Sequence, residues 1–335
     1  MGKCFGGAGQ MLYVTTRDKS DAFTAYRVLR ENRGPDGGFY LPFRMPSFSQ
    51  EELLALKEKS FGQCMADMLN LFFSCRMTGW DVEFSIGRYP VKLAGVNQRV
   101  VAVQLWNNQS ADFQKLEHTL ADKLCGDGGK APSWVTISIR IAALFGTYGE
   151  MLRTGQVQPE KVFDAAVPTG DFSWVMAVWY ARQMGLPVAN IICGCYQNSS
   201  VWELLHLGES HTDELPEELE RLVFGTLGIE EVKRYCGQTG NYRLLPAELE
   251  RLRKGLFAAV VSQERVDAAI PSVYRTGGYI LGPRGALAYS ALQDYRARSG
   301  ESRLAVLLED RSPVLDGKYV AQAMGVTEQE LKQKI

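Results

Sequence analysis

Few side chains in this sequence are spaced as a metal or catalytic site requires. The closest pair of cysteines is Cys193-Gly-Cys195, and the chain has three histidines in all, so a transition-metal site has few candidate ligands. The seven cysteines are scattered, and several lie within apolar segments, where a reduced thiol behaves as a small hydrophobic side chain. We therefore expect Cys193 and Cys195 to be buried in a strand, and we expect no metal site.

A glycine-rich segment, Gly126-Asp-Gly-Gly129, has a composition that can cradle phosphate. It lacks the Lys-Ser or Lys-Thr pair of a P-loop, and no strand pattern precedes it. It lies between a helix predicted to end near Leu124 and an apolar run over residues 137–152. The sequence therefore predicts a plain connector over residues 125–133.

A second candidate anion site is the turn Gly170-Asp171-Phe172-Ser173. The turn follows a predicted strand over residues 162–167 and opens a predicted helix over residues 172–184, whose free amide groups attract anions. The carboxylate of Asp171 is suited to capping this helix, and it would repel a phosphate while occupying the same amides. Capping therefore explains Asp171 better than phosphate binding does.

The elements that would position these residues indicate an α/β protein. The strand, turn and helix over residues 162–184, with a second strand over residues 188–195, form one βαβ unit of a parallel sheet. Near the N-terminus, Ser49 with Glu52 forms a capping box. Other segments have the patterns of regular elements: strands at 11–16, 39–42 and 304–308, helices at 18–30, 61–76, 283–298 and 314–324, and short helices over 216–276.

Composition excludes several classes of protein. Of the 335 residues, 46% are hydrophobic and 22% are charged, which is typical of a globular protein with a large core. The 37 basic and 38 acidic residues form no run of like charge, so we expect no nucleic-acid partner. No apolar stretch approaches the roughly 20 residues that cross a bilayer, so we expect no membrane span. We interpret residues 1–10 as a flexible leader and expect a cytoplasmic protein.

Three segments carry a resemblance to a known family. The first is Tyr13-Val-Thr-Thr-Arg17 with the turn Gly34-Pro-Asp-Gly-Gly-Phe-Tyr-Leu-Pro42, the second is Phe163-Asp-Ala-Ala-Val-Pro-Thr-Gly-Asp-Phe172, and the third starts at Leu219-Glu-Arg-Leu-Val-Phe224. Together they resemble threonine synthase over residues 11–124 and 134–325. The resemblance implies the tryptophan-synthase-β fold, also called pyridoxal phosphate (PLP) fold type II, and conversion of O-phosphohomoserine and water to threonine and phosphate.

The resemblance also implies a lysine that forms a Schiff base with PLP, in a Phe-Lys-Asp segment. Phe113 matches that segment, but Gln114 stands at the lysine position, and a glutamine cannot form an imine. Lys115 is one residue further on, about 100° away around the helix, so it could substitute only if the register shifted. We interpret Lys115 as a solvated surface lysine.

Other requirements of the family are changed as well. The small α/β subdomain that covers the cofactor, with its Ser-Gly-Asp-Thr-Gly turn, has no counterpart between Leu124 and Trp134. The phosphate turn is reduced to the remnant Gly170, Asp171, Phe172 and Ser173. The threonine that faces the ring nitrogen corresponds to Asp310, and the family's Pro-His corresponds to Pro283-Arg284. The asparagine-containing substrate segment has become residues 134–139.

Joint loss of these features predicts a truncated, degenerate and catalytically inactive homologue. We divide the chain into a leader (1–10), a threonine synthase-like N-terminal domain (11–124), a connector in place of the subdomain (125–133) and a large α/β domain (134–335) with a helical insertion (216–276). The expected role is binding or assembly, with no cofactor, through a protein partner or a second copy in the vacated cleft. The alternatives are a PLP-dependent lyase acting on O-phosphohomoserine and a phospho-amino-acid sensor.

The helix after the phosphate turn is rich in aromatic residues and is one candidate for a partner surface. Phe172, Trp174, Trp179 and Tyr180 lie along it. Apolar aromatic side chains at such spacing more often belong to the core of the protein. We therefore expect these four side chains to be buried.

Overall fold

Strands and helices alternate along most of the chain. The computed structural model describes residues 11–87, 91–106, 113–125, 132–170, 172–238 and 240–335. The strands are β1 (Leu12–Thr15), β2 (Phe23–Thr24), β3 (Tyr40–Pro42), β4 (Lys92–Asn97), β5 (Val100–Gln104), β6 (Phe163–Val167), β7 (Val188–Cys195), β8 (Glu209–Ser210), β9 (Tyr242–Arg243), β10 (Leu256–Val260) and β11 (Ala305–Glu309). The α-helices are α1 (Ala25–Val28), α2 (Gln50–Leu54), α3 (Phe61–Phe73), α4 (Gly79–Ile86), α5 (Gln114–Cys125), α6 (Ser133–Arg153), α7 (Ser173–Gln183), α8 (Ser200–Trp202), α9 (Glu217–Leu227), α10 (Ile229–Gly237), α11 (Pro246–Arg253), α12 (Gln263–Gly277), α13 (Pro283–Ser299), α14 (Gly317–Met324) and α15 (Glu328–Lys334).

A six-stranded sheet in the order β10-β7-β6-β11-β5-β4 is the centre of the fold. Adjacent strands of this sheet are parallel, except that β4 pairs antiparallel with β5. From β6 the chain moves outward to β7 and then β10, whereas β11 lies on the other side of β6. The direction of winding therefore reverses between β6 and β11, and the carboxyl edge at such a reversal is where open α/β sheets bind ligands.

Two hydrophobic cores lie on opposite faces of this sheet. Because side chains of a strand alternate between faces, Ala165 and Val167 of β6 join one core and Ala166 joins the other. The first core includes α3, α6 and α7, and the second includes α12, α13 and α14. The fold is thus an α/β sandwich with helices on both faces of a mostly parallel sheet, which confirms the predicted class.

A smaller antiparallel sheet, β2-β1-β3, belongs to the N-terminal part of the chain. Helix α9 ties this sheet to the large domain through two fully buried charged residues. The carboxylate of Glu220 accepts a hydrogen bond from Thr16 and pairs with Arg17 at 2.9 Å. The guanidinium of Arg221 donates to the carbonyl oxygen of Tyr40 at 3.3 Å. Hydrogen bonds to charged groups contribute about 1.5–3 kcal/mol each, so α9 stabilises this contact strongly.

Several predicted elements are confirmed, and others are wrong. The βαβ unit is present as β6, α7 and β7, and Ser49 and Glu52 form a capping box at the start of α2. The helix predicted over residues 18–30 is wrong: β2 and the four-residue α1 lie there, because pairing of β2 with β1 overrides the helical spacing. Residues 216–276 are also not all helical, because residues 256–260 form β10.

The strands β4 and β5 had no predicted counterpart. They form an antiparallel hairpin at one edge of the central sheet.

The predicted leader, residues 1–10, lies outside the described residues. No helix in the described part of the chain is both long and apolar enough to cross a bilayer.

Candidate functional site

Two loops lie at the carboxyl edge of the central sheet where the winding reverses. They follow β6 and β11, which are neighbours in the sheet. The loop after β6 is the turn that leads to α7, and the loop after β11 begins with Asp310. The N-terminus of α13 completes this edge with Arg284. These loops bring the predicted turn and the predicted ring-nitrogen position to the same place.

An ion pair lies at this edge. Nη2 of Arg284 is 2.8 Å from a carboxylate oxygen of Asp310, whose side chain is 8% exposed. The guanidinium of Arg284 also lies against Gly170, so closely that a Cβ added at Gly170 would collide with it. Only glycine at position 170 leaves room for this arrangement. Arg284 therefore connects the start of α13, the end of β11 and the turn after β6.

A second carboxylate, Glu309, is buried behind the pair. Its side chain lies against Gly285, where a Cβ would collide with the carboxylate, and its Oε1 has no hydrogen-bond partner among the described residues. Burial, reinforced by the charge of Asp310, raises the pKa of Glu309 well above its ordinary value, although the amide of Gly282 and the charge of Arg284 oppose this. Burial and the nearby Glu309 also raise the pKa of Tyr279. Burial therefore favours the protonated, neutral form of the Glu309 carboxyl.

The predicted lysine position lies on α5, the helix that follows β5. Gln114 is the first residue of α5 and is exposed. Lys115 is exposed as well, and its Nζ donates to the carbonyl oxygen of Phe84 at 3.0 Å and lies 4.3 Å from the centre of the Phe84 ring. The amine of Lys115 is thus held on the surface of α4, which confirms that Lys115 is a surface lysine.

The remnant phosphate turn has one feature that the sequence did not predict. Phe172 occupies the N-cap position of α7 in a left-handed conformation with φ of 63°, so α7 begins at Ser173, one residue later than predicted. The amide of Phe172 donates to the carbonyl oxygen of Thr169. Asp171 lies outside the described residues. Its predicted capping role therefore stays a prediction, although the N-cap itself is Phe172 rather than Asp171.

The aromatic helix belongs to the core. Phe172, Trp174, Trp179 and Tyr180 are at most 8% exposed, which confirms the expectation that they are buried. The partner-surface interpretation of this helix is therefore wrong, because α7 packs between the sheet, α6 and α9.

The cysteine pair is also structural. Cys193 and Cys195 are buried, unpaired thiols in β7, as predicted. Burial raises the pKa of Cys195 to about 11 and raises the pKa of Cys193 as well. Across the described residues, no three His, Cys, Asp or Glu side chains are grouped so that they could hold a metal ion.

The predicted connector falls between two helices. Helix α5 ends at Cys125 and α6 begins at Ser133, so residues 126–132 join them. Residues 126–131, which include the glycine-rich segment, lie outside the described residues. A parallel β-α-β crossover needs a dozen or more residues, so this stretch is too short to contain an α/β subdomain.

Comparison with known proteins shows what this chain is similar to. The family model described as threonine synthase N terminus matches residues 12–86. The human protein "Threonine synthase-like 1" is 24% identical over 177 residues, which cover 47% of this chain and 24% of the human protein. The threonine synthase of Pseudomonas aeruginosa is 26% identical over 155 residues, 41% of this chain and 33% of that one. This chain is therefore similar to threonine synthases and to proteins named threonine synthase-like.

Solved structures of threonine synthases share the fold of this chain. The PLP-bound threonine synthase of Brucella melitensis superimposes with a TM-score of 0.80 at 18% identity, covering 94% of this chain and 92% of that one. Yeast threonine synthase gives a TM-score of 0.77 at 14% identity, covering 97% and 94%. The matched sequence spans about a quarter to a third of the curated relatives, whereas the structural match runs along nearly the whole chain.

Sequence reasoning identified Arg284 and Asp310 only as two separate departures from the family pattern. Their opposite charges were the available signal that they pair with each other. Nothing in the sequence indicated that Glu309 is buried, because a glutamate at the end of an apolar strand is ordinarily solvated. Its burial depends on the close approach of Gly285, which is a tertiary contact.

Replacing Glu309 by glutamine should stabilise the protein at high pH. Because the folded-state pKa of Glu309 is raised, the folded protein retains a proton that the unfolded chain loses above about pH 4.3, and stability falls as the pH rises. Glutamine stays neutral, so the free energy of unfolding of Glu309→Gln should exceed that of wild type by a margin that grows by up to about 1.4 kcal/mol per pH unit.

Urea unfolding between pH 5 and pH 8 measures this margin. The matched control is Glu51→Gln, at an exposed glutamate in the first turn of α2, which should show no such growth. A margin for Glu309→Gln that stays constant over this range would mean that Glu309 is ionised in the folded protein, contrary to this prediction.

Proposed function

We propose that this threonine synthase-like chain carries out no PLP chemistry and acts instead through binding or assembly. The observation that supports this most strongly is the Arg284–Asp310 ion pair at Gly170, in the remnant of the phosphate turn. A cofactor phosphate would have to displace a guanidinium that is already neutralised by a carboxylate.

The residues present do not fit PLP. The cofactor needs an amine for its aldehyde, and Gln114 provides none, while the amine of Lys115 is held at Phe84. Asp310, at the position expected to face the ring nitrogen, is paired with Arg284 instead. When bound in an active relative, PLP supplies an electron sink for carbanion chemistry. We assign no step of such chemistry to this chain.

One observation favours the phospho-amino-acid sensor as a second candidate. Arg284 places a positive charge beside the turn, and its Nε has no hydrogen-bond partner among the described residues. A phosphate could use that charge if Asp310 released it. We favour the inactive homologue over the sensor because Asp310 is itself nearly buried, and separating a buried ion pair is costly.

The proposed binding role has a candidate surface on α4. Trp80 and Phe84 stack with ring centres 5.1 Å apart and are 68% and 60% exposed, respectively. Helix α4 packs against α5, the helix that leads into the connector where the subdomain is predicted to be missing. We propose that a second copy of the chain covers this aromatic pair.

The free thiols of the described cysteines support a cytoplasmic location, where thiols stay reduced.

Added PLP should not attach to this protein at a specific site. Because Gln114 has no amine and the amine of Lys115 is held at Phe84, we expect no saturable visible absorption band when wild type is titrated with PLP. Borohydride reduction and mass spectrometry should likewise find no PLP-modified peptide that contains Lys115. Lys115→Ala is the matched control. A saturable band in wild type that is lost in Lys115→Ala would establish the PLP-dependent alternative, and micromolar binding of O-phosphohomoserine by calorimetry would establish the sensor.

Self-association should depend on Trp80. If the exposed aromatic pair is covered by a second copy, the sedimentation coefficient of wild type should rise with concentration, and Trp80→Ser should abolish that rise because it removes the larger exposed ring. Tyr26→Ser, at another exposed aromatic residue, is the control and should behave as wild type. Wild type that sediments as a monomer at all concentrations would contradict assembly through this surface.

A further inference from the structure

A cavity lies at the opposite end of the central sheet from the Arg284–Asp310 pair. It has a volume of about 340 Å³, within the range of small-molecule sites. Asn190 of β7 and the first residues of β10 form its floor, and α13 contributes Tyr295 and Arg298 from its last turns. Arg298 lies fourteen positions after Arg284 on α13, which corresponds to a rise of about 21 Å along the helix. The cavity is therefore distinct from the carboxyl-edge site.

One wall of this cavity is cationic. Arg253 and Arg298 line it beside His206, and its lining residues include no aspartate or glutamate in the described part of the chain. Arg253 donates to two carbonyl oxygens, those of Leu205 at 2.6 Å and His206 at 2.7 Å, and not to a carboxylate. Burial lowers the pKa of Arg253, so its charge is partly desolvated without a compensating anion. Such a charge gains from an anion placed beside it.

His206 gives an independent sign that a ligand belongs here. Its Nε2 is buried and has no hydrogen-bond partner among the described residues. Burial lowers the pKa of His206, a hydrogen bond to the backbone of Ala258 opposes this, and the charges of Arg253 and Arg298 lower the pKa further. Buried polar atoms are ordinarily satisfied, so the unpartnered Nε2 of His206, in a cavity that Arg253 and Arg298 also line, favours a hydrogen-bonding ligand there.

The rest of the cavity is aromatic. Phe257 and Tyr295 are in edge contact with ring centres 5.3 Å apart, and the guanidinium of Arg298 lies 5.7 Å from the centre of the Phe257 ring. Asn190 donates to the hydroxyl of Tyr295 at 2.9 Å, which fixes that ring. An apolar or aromatic body would therefore find a preformed wall next to the cationic one.

A second, more open cavity continues this surface. It has a volume of about 670 Å³ and shares Asn190 and Gly255 with the first. Arg182, Arg251 and Lys254 line it, again without an acidic residue among those described. The positive potential of the first cavity is thus reinforced by its surroundings, which attracts anions.

We propose that the 340 Å³ cavity at the amino ends of β7 and β10 binds a small organic anion, a phosphate monoester or a carboxylate with an aromatic or apolar body. The anionic group would lie between Arg253, His206 and Arg298. The body would lie against Phe257 and Tyr295. This site is independent of the proposed function at the carboxyl edge.

Isothermal titration of the full chain with phenyl phosphate tests the proposal. We expect saturable binding that is weaker for inorganic phosphate, which lacks the ring, and undetectable for benzamidine, a cation with the same ring. Arg298→Gln should weaken binding of phenyl phosphate roughly tenfold, since a charged hydrogen-bond partner is lost. Because Arg298 is exposed and its guanidinium lies over the Phe257 ring at the cavity wall, this variant should fold.

A control variant shows whether the loss of affinity is specific to this cavity. Arg275→Gln removes the same charge at the end of α12, near β4 at the far edge of the sheet, and should leave the affinity unchanged. The proposal is overturned if phenyl phosphate does not bind, or if Arg298→Gln and Arg275→Gln have equal effects.

Discussion

The Arg284–Asp310 ion pair is the interaction on which the carboxyl edge of this protein depends. One partner begins α13, the other follows β11, and the guanidinium rests on Gly170 in the turn between β6 and α7. These three elements meet where the winding of the sheet reverses, the place at which open α/β sheets bind ligands. A charge pair within the chain therefore lies where a ligand of the fold would be expected.

Glu309, the buried neighbour of the ion pair, lies in a site that requires specific residues around it. Glu309 is held against Gly285 in a site that disfavours its charge, and a buried carboxylate is retained only where its surroundings tolerate it. The cavity at the other end of α13 has an excess of basic side chains. Arg253, His206 and Arg298 line it, and no acidic residue does so among those described. The charge of Arg284 is compensated within the chain, whereas the two arginines of the cavity have no carboxylate among the described residues that line it. This contrast favours an external anion in the cavity.

Sequence patterns correctly predicted those helices and strands whose pattern is strong and lies within a single segment of the chain. The β6-α7-β7 unit was predicted from its turn residues and hydrophobic periodicity, and the Ser49 capping box from its cap residues. Both are present. Patterns failed where tertiary pairing decides: residues 256–260 are a short apolar run that becomes β10 only by pairing with β7. The same limit applies to the site. The replacement of lysine by Gln114 was readable from the sequence, whereas the pairing of Arg284 with Asp310 requires two segments to meet in space.

A crystal structure of the protein grown with excess PLP tests the central claim most directly. We predict that the guanidinium of Arg284 lies against Gly170 and pairs with Asp310 at about the 2.8 Å seen here, with no cofactor at the turn. Electron density for PLP whose phosphate rests on the Gly170 turn, with Arg284 displaced from Asp310, would contradict the claim.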